Sequence, residues 1–304
     1  MMYTYSSPLM TDVCDRQLLE LIAPSASFER IASDFLFTEG PAWDATTNSL
    51  VFSDIIGNTI YRWSRHNGLQ VFRQPSNMAN GNAFEHTGQL LTCEHATSRV
   101  VRATREGTVE VLATHYEGKE LNSPNDLVVH SSGAIYMTDP LSGRSARYGV
   151  ERSSALGFQG VYRINPRDRS ITLLVDDFVL PNGLCFARDE TQLFVNDTRR
   201  SHIRVFDLRP DGALAQGRVW ADVIGEGEGA PDGMKIDEQG NVWCTGPGGL
   251  HVFAPDARLL GVIRLDERAT NMVWGDADRR TLYITASTSV YALRTAVAGQ
   301  RTVA

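Results

Sequence analysis

The sequence lacks the features that mark several large classes of protein. No run approaches the roughly 18 consecutive apolar residues of a membrane-spanning helix, and residues 1–24 have neither the basic region nor the continuous apolar region of a secretory signal. Only two of the 29 basic residues are lysines, the arginines are dispersed, and the formal net charge is −7. Because phosphate binding needs clustered basic side chains, we expect no binding to nucleic acid. We expect a cytoplasmic protein without a membrane or an obligatory protein partner.

Catalytic and metal-binding motifs of fixed spacing are also missing. The four cysteines form no CxxC pair, the seven histidines form no HExxH motif, and no GxSxG motif is present. These absences argue against a zinc knuckle, a redox-active dithiol and a serine acyl-enzyme. The glycine-rich stretch 225–229 leads to a predicted strand, whereas a phosphate loop would lead to a helix. Cys93, Cys185 and Cys244 each lie in an apolar run, so we expect them to be reduced and buried.

What the sequence does contain is a phrase that recurs six times. Each copy begins with Asn, Asp or Glu, continues into a short apolar run, and is followed after a turn by further runs rich in β-branched and aromatic residues, a pattern typical of strands. The copies begin at residues 39, 80, 125, 182, 232 and 271, at intervals of 41, 45, 57, 50 and 39 residues. A four-stranded propeller blade needs roughly 40 to 50 residues, so the repeat predicts an all-β fold, a six-bladed β-propeller.

The same spacing predicts the organisation of the chain. Residues 1–24 form an N-terminal extension and residues 25–304 form a single propeller domain. Residues 25–37 have no blade of their own, and we expect them at the outer edge of the last blade, where they remove an exposed sheet edge. The 57-residue interval indicates an insertion, which we place at 141–158 as a loop that could close over a bound substrate.

The first residues of the six phrases form a column of carboxylates and carboxamides, namely Glu39, Asn80, Asn125, Asn182, Asp232 and Asn271. In a propeller these positions converge on one mouth of the central channel. Calcium takes six to eight oxygen ligands, whereas zinc prefers nitrogen and sulfur, so the column favours a central site for calcium or another oxygen-seeking cation. Because Asn, Asp and Gly are also common in turns, a turn role stays open for Asn80 and Asn271.

Four of the phrases together resemble the SMP-30/gluconolactonase/luciferin-regenerating-enzyme family. The motifs, in chain order, are Glu-Gly-Pro, Ser-Pro-Asn-Asp, Pro-Asn-Gly and Pro-Asp-Gly-Met, and the resemblance covers about residues 37–293. It implies a six-bladed propeller that holds a divalent cation, often calcium, and that in many members hydrolyses sugar lactones. By position it implies Glu39, Asn182 and Asp232 as metal ligands, with Asn125 facing the substrate or the metal. Animal members have an arginine where this chain has Ser123. The contacts that this arginine makes with substrate hydroxyl groups are therefore not expected here.

Two further residues are candidates for substrate binding because each lies near the end of a predicted strand. His95 follows Cys93 and Glu94, and the Glu-His pair resembles bacterial members of the family; a capped or surface histidine is the alternative. Asp139 lies in a Thr-Asp-Pro sequence, in a position parallel to Asp54 and Asp197. Carboxylates at such positions often stabilise turns, and of the three we expect Asp139 to reach the pocket.

The sequence thus predicts metal-dependent hydrolysis of a sugar lactone, with glucono-1,5-lactone converted to gluconate. One divalent cation is expected, calcium before zinc, manganese or magnesium. Asp232 is the candidate for accepting the proton of the attacking water, although a metal-bound carboxylate is a weak base. Two alternatives stay open: another ester, lactone or phosphotriester hydrolase on the same propeller, and a non-catalytic binding propeller whose metal is structural.

Overall fold

Six antiparallel sheets, here called blades 1 to 6, follow one another along the chain in a computed structural model that describes residues 5–104 and 107–300. From the innermost strand outward, the first three blades consist of Thr38–Asp44, Ser49–Asp54, Thr59–Ser64 and Gly68–Arg73; of Ala79–Phe84, Leu90–Glu94, Arg99–Ala103 and Val109–Ala113; and of Leu127–Val129, Ile135–Asp139, Gln159–Ile164 and Ile171–Phe178. The other three consist of Pro181–Phe186, Gln192–Asp197, His202–Leu208 and Leu214–Asp222; of Met234–Ile236, Val242–Gly246, Gly249–Phe253, Leu259–Arg264 and Met10–Val13; and of Ala269–Gly275, Thr281–Ala286, Ser289–Arg294, Ser27–Ala32 and Tyr5–Pro8.

The blades close into a ring. The innermost strand of each blade contacts that of the next, and the innermost strand of blade 6 contacts that of blade 1. The predicted six-bladed β-propeller is therefore confirmed. The predicted insertion also lies where expected, between the second and third strands of blade 3, and it contains a short 3₁₀ turn at Ser142–Arg144. A two-stranded hairpin, His115–Tyr116 with Lys119–Glu120, precedes blade 3.

The second strand of each blade forms the core because it lies between neighbouring blades. In blade 1 every residue of Ser49–Asp54 is buried, whereas the outer strand Gly68–Arg73 is partly exposed along its whole length. A strand that is covered on both faces needs a nearly continuous apolar sequence, which Leu50, Val51 and Phe52 provide. The exposed outer strands carry the polar residues, so the hydrophobic pattern alone separates inner from outer strands.

The N-terminal segment closes the outer edges of two blades. Ser27–Ala32 pairs with Ser289–Arg294, which confirms the predicted outer position of this segment in the last blade, and Tyr5–Pro8 adds a further strand outside it. Met10–Val13 pairs with the last strand of blade 5, and the five-residue helix Gln17–Leu21 buries Leu18 and Leu21 completely. The division into an extension at 1–24 and a domain at 25–304 stays a prediction. The described part of the extension packs directly on the propeller.

The cysteines are all free, and Cys93, Cys185 and Cys244 are buried as predicted, while Cys14 is exposed. Burial raises the pKa of the Cys185 thiol to about 12 and that of the Cys93 thiol well above its usual range. Such thiols stay protonated and pack as small apolar groups. Over residues 5–104 and 107–300, no helix has the length and apolar character that crossing a membrane requires.

Candidate functional site

The polar column lies at one end of the innermost strands. Four of its residues are inside these strands, and in each of the four the pairing register shifts close to the polar residue, which marks a β-bulge. Bulges re-aim side chains and are frequent next to functional sites. All six residues of the column are buried, with exposed fractions of 3 to 7%. Asn80 and Asn271 are inside strands, so the turn alternative is wrong for both.

A glycine follows four of the six polar residues and lets the next blade approach closely. A Cβ atom on Gly183 would lie 2.0 Å from the carbonyl oxygen of Asp232, and one on Gly233 would lie 2.1 Å from Oδ1 of Asn271. Both distances are far below van der Waals contact, so only glycine fits. The recurring Asn-Gly or Asp-Gly motif therefore lies at the packing contact between adjacent blades. This contact brings the polar side chains of adjacent blades together at the mouth.

Two carboxylates meet at this mouth. Asp232 lies within hydrogen-bonding reach of the side chains of both Glu39 and Asn182, so the three metal ligands implied by the family resemblance are brought together. Burial raises the pKa of Asp232 to about 7, against the opposing charge of Arg268, whose Nη2 lies 3.5 Å from Asp232 Oδ2. Burial, and then the charge of Asp232, raise the pKa of Glu39 well above its usual range. A cation or a shared proton would relieve this repulsion.

A third carboxylate, Asp126, lies deeper in the channel and is absent from the sequence prediction. Asn271 Nδ2 donates to Glu39 Oε2 at 3.1 Å and approaches Asp126 Oδ2 at 3.4 Å, which joins blades 6, 1 and 3 across the ring. The ammonium of Lys235 lies 3.3 Å from Asn271 Oδ1 and 4.0 Å from Asp126 Oδ2. Lys235 thus supplies an internal cation to the channel. The sequence contained one indication of Lys235, because the chain has only two lysines.

The amides of Asn182 and Asn125 are fixed by neighbouring hydroxyl groups. Asn182 Nδ2 donates to Thr198 Oγ1 at 3.1 Å, and Thr198 Oγ1 donates to the carbonyl oxygen of Pro231 at 2.6 Å, directly before Asp232. Asn125 Nδ2 donates to Ser142 Oγ at 3.3 Å, in the 141–158 loop. Asn182 therefore belongs with the carboxylate pair, and Asn125 lies where the mouth meets the loop.

His95 connects the column to the 141–158 loop and is almost completely buried, with 1% of its surface exposed. Its Nδ1 lies 2.8 Å from the carbonyl oxygen of Tyr148, and its Nε2 lies 3.1 Å from Asn80 Nδ2. Because a carbonyl oxygen only accepts, Nδ1 carries the proton and Nε2 accepts from Asn80. Both ring nitrogens are engaged inside the protein, so this geometry gives His95 a positioning role and does not support the predicted contact with substrate.

The burial of His95 should make stability depend on pH. Burial lowers its pKa to about 4, whereas an unfolded histidine has a pKa near 6.5. The unfolded chain then binds a proton more tightly, so stability should fall as pH decreases from about 6.5 towards 4, by up to about 3 kcal/mol. Urea unfolding at pH 7 and pH 4.5 should show a smaller loss for His95→Gln than for the wild type. The exposed His66→Gln serves as the control and should behave like the wild type; equal losses in all three proteins would contradict this assignment.

Asp139 does not reach the mouth in this structure. It is fully buried, and its Oδ2 accepts from the backbone N–H of Asn122 at 2.8 Å. Asp54 accepts in the same way from Phe37, and Asp197 from Val179. Burial raises the pKa of Asp139 to about 7. The predicted contact with substrate is therefore not supported, because this carboxylate, like its two counterparts, supports the connection that enters the blade's inner strand.

The 141–158 loop is anchored by Arg144, whose side chain is 4% exposed. Its Nε donates to the carbonyl oxygen of Asn122 at 2.7 Å, and Nη2 lies 2.9 Å from Glu120 Oε2. Ser123 adds a second anchor, because its hydroxyl donates to the carbonyl oxygen of Pro140 at 2.5 Å and accepts from the N–H of Gly143 at 3.0 Å. These contacts tie the loop to the segment that precedes blade 3, and its closure over a substrate stays a prediction.

The donor set at the mouth fits an oxygen-seeking cation. Across the described ranges 5–104 and 107–300, no group of three His, Cys, Asp or Glu side chains is placed to hold a metal ion. A cation between Glu39 and Asp232 would therefore need the amide oxygen of Asn182 as well. Such a mixed set of carboxylate and amide oxygens suits an oxygen-seeking cation, because zinc prefers nitrogen and sulfur ligands, and the two buried carboxylates supply the charge that such a cation needs.

Comparisons with known proteins agree with this architecture. The model of the SMP-30/gluconolactonase/LRE-like region matches residues 37–288. A gluconolactonase of Zymomonas mobilis is 33% identical over an alignment of 302 residues, which covers 90% of this chain and 83% of that protein. A solved gluconolactonase from Xanthomonas campestris is 32% identical with a TM-score of 0.89, and the match covers 96% of this chain and 97% of that one.

A more distant structure shares the fold alone. Regucalcin from Agrobacterium tumefaciens, described as a calcium-binding protein, has a TM-score of 0.75 at 18% identity, over 89% of this chain and 94% of that one. The family model spans well over half of the sequence, and the first relative exceeds 30% identity across most of both chains. The chain therefore belongs to the SMP-30/gluconolactonase/LRE-like family.

Proposed function

We propose that this protein is a lactonase that hydrolyses an aldonolactone, with glucono-1,5-lactone as the first substrate, and that it uses one divalent cation, calcium before the others. The relatives at 33% and 32% identity are gluconolactonases, which supports the substrate class. The calcium-binding neighbour supports the cation at the level of the fold. A cytoplasmic location stays a prediction.

The observation that carries the proposal is the buried pair formed by Glu39 and Asp232, with Asn182 beside it. Burial, and then the charge of Asp232, raise the pKa of Glu39 well above its usual range. Such pairs are expensive in a purely structural role, because buried like charges destabilise the fold unless a cation compensates them. They lie at the channel mouth, beside inner strands that bulge, which is where we expect the substrate to bind.

The residues divide the chemistry between them. Glu39, Asn182 and Asp232 would bind the cation, which when bound would polarise the lactone carbonyl as a Lewis acid. Asp232 accepts the proton of the attacking water as the water oxygen bonds to the carbonyl carbon. When the ring C–O bond breaks, the same proton passes to the leaving ring oxygen, so that a hydroxyl and a carboxylic acid result. Asn125, fixed by Ser142, orients the substrate hydroxyl groups.

A substrate panel tests the proposal against its two alternatives. With calcium present, the protein should hydrolyse glucono-1,5-lactone well above the spontaneous rate, which must be subtracted because aldonolactones also open in water. A phosphotriester should be turned over much more slowly. Proton release at constant pH measures the aldonolactones, and release of a chromogenic leaving group measures the phosphotriester.

The possible outcomes differ clearly. A phosphotriester preferred over every lactone would replace the proposed substrate class with the first alternative. Calcium binding without turnover of any compound in the panel would support the non-catalytic propeller.

A further inference from the structure

Arg268, the residue that immediately precedes the innermost strand of blade 6, is a cation that contacts the carboxylate pair at the mouth. Its Nη2 makes a long contact of 3.5 Å to Asp232 Oδ2. Its Nε is buried and, in the part of the chain that the structure describes, has no hydrogen-bond partner. One third of the side chain is exposed. A guanidinium has five N–H donors, so most of the binding capacity of Arg268 is unused.

Two other cations near the mouth are already engaged. Lys235 lies against Asn271, Asp126 and the carbonyl oxygen of Met234. Arg144 donates to Asn122, Leu121, Ser153 and Glu120 in anchoring the loop. Neither has donors to spare for a ligand, and only Arg268 combines unused donors with contact to the carboxylate proposed to carry the chemistry.

A row of stacked side chains positions Arg268. Its guanidinium lies over the ring of Phe37, 5.9 Å from the centroid. Phe37 contacts Tyr148 with ring centroids 5.0 Å apart, and Arg147 lies over Tyr148 at 5.1 Å. The row thus extends from blade 6 to the 141–158 loop, and it passes through Phe37, which lies two residues before Glu39. Arg268 ends the row at the carboxylate pair, and Arg147 ends it at the exposed outer surface of the loop.

We propose that Arg268 binds the carboxyl group of the sugar acid, as the lactone carbonyl in the substrate and as the carboxylate in the product. This inference rests on the proposed lactonase function and adds a specificity-determining residue to it. A guanidinium matches a carboxylate with two parallel N–H···O bonds. Negative charge develops on the carbonyl oxygen in the transition state, and the carboxylic acid that results ionises at neutral pH. The contact therefore strengthens along the reaction, and contacts that are stronger in the transition state raise the rate.

The local charge supports this assignment. The mouth and channel carry three carboxylates, Glu39, Asp126 and Asp232, and two side-chain cations, Lys235 and Arg268. A divalent cation would change the formal net charge of this set from −1 to +1, which suits an anionic product. Without Arg268 the same set would be neutral, and the affinity for an aldonate would fall.

The test compares Arg268→Gln with Arg65→Gln, which removes an exposed guanidinium just after Thr59–Ser64, at the end of blade 1 away from Glu39. Calorimetry on the calcium-loaded protein measures the affinity for gluconate, and lactone hydrolysis gives kcat and KM. Arg268→Gln should bind gluconate roughly 10- to 100-fold more weakly and lose a similar factor in kcat/KM, as expected for lost charged hydrogen bonds. Arg65→Gln should match the wild type in both measurements.

Calcium affinity separates this role from a purely structural one. If Arg268 only held Asp232 in place, Arg268→Gln would bind calcium more weakly and gluconate unchanged, and that result would overturn the proposal. If Arg268 binds the product, calcium should bind as well or better, because a positive charge beside the cation is gone. Arg268→Lys, which keeps the charge but not the planar pair of donors, should have an intermediate affinity for gluconate. If it equals the wild type, paired recognition of the carboxyl group is wrong.

The proposed function can fail independently. A wild-type protein that hydrolyses no lactone would reject the lactonase assignment. An active wild type whose Arg268→Gln variant keeps its gluconate affinity and its kcat/KM would reject only the role of Arg268.

Discussion

Removing divalent cations with a chelator should abolish lactone hydrolysis, and adding calcium back should restore it. Without a cation, Glu39 and Asp232 face each other as buried carboxylates, and the pKa of Asp232 is raised to about 7 by burial. At neutral pH a large fraction of Asp232 is then protonated and cannot accept the proton of water. The lactone carbonyl also loses its polarising partner. Hydrolysis of glucono-1,5-lactone in exhaustively dialysed protein, with and without added calcium, measures the effect.

The same cation should stabilise the fold, because it binds the closed ring and not the unfolded chain. Binding at 100 times the dissociation constant contributes about 2.7 kcal/mol, which a rise in Tm on titration with calcium would reveal. Glu39→Gln should lose most of this rise. Glu20→Gln, which removes an exposed carboxylate from the short helix, should keep it. Full activity in metal-free protein would refute the requirement for a cation, whatever the change in Tm.

The repeat made the ring and its polar column predictable, because each copy records the same local constraint. The Asn-Gly or Asp-Gly motif recurs because a side chain on Gly183 or Gly233 would collide with the next blade. This requirement for glycine can be recognised in a single sequence. The outer strands Tyr5–Pro8 and Met10–Val13 were not predictable. They are only four residues long and exist because distant strands offer them an edge.

The residues missed at the site share a physical reason. Asn125 and Asp126 both precede the paired strand Leu127–Val129, so Asp126 contacts Asn271 and Lys235 directly after Asn125, a result that a strand period of two residues does not predict. Arg268 lies outside the repeated phrase altogether. It reaches Asp232 only because the ring places blade 6 beside blade 5, and closure of a ring leaves no local signal in the sequence.

His95 and Asp139 illustrate the opposite error. Both lie at strand ends near the mouth, where the sequence predicts contact with substrate. At a strand end a side chain can face either the channel or the packing contact between blades. The side chains of both residues face the packing contact. Asp139 accepts from the backbone of Asn122, and His95 lies between Asn80 and Tyr148. A buried polar group that already has partners inside the protein is costly to withdraw, so these two residues support the site without lining it.

Asp232→Asn and Asn125→Ala should impair catalysis in different ways. Asp232→Asn keeps a side-chain oxygen for the cation but removes one negative charge and the proposed proton acceptor. Calcium should bind more weakly, and at saturating calcium kcat should still fall by roughly 10²- to 10⁴-fold, the loss typical of removing a general base. Asn125→Ala removes an amide and no charge, so calcium should bind nearly as well while kcat/KM falls. Calorimetry for calcium and initial rates at saturating calcium, on both variants, separate proton transfer from substrate placement.

A near-normal kcat in calcium-saturated Asp232→Asn would show that Asp232 is only a ligand and that the base is another residue. The structure then points to Asp126 before Asp139. Asp126 is within electrostatic range of both Glu39 and Asp232 and approaches Asn271 at 3.4 Å, whereas Asp139 is bound to the backbone of Asn122. Asp126→Asn should then show the large loss of kcat expected here for Asp232→Asn. Asp139→Asn should change the unfolding midpoint in urea more than it changes kcat, since its carboxylate supports the strand entry and does not reach the mouth.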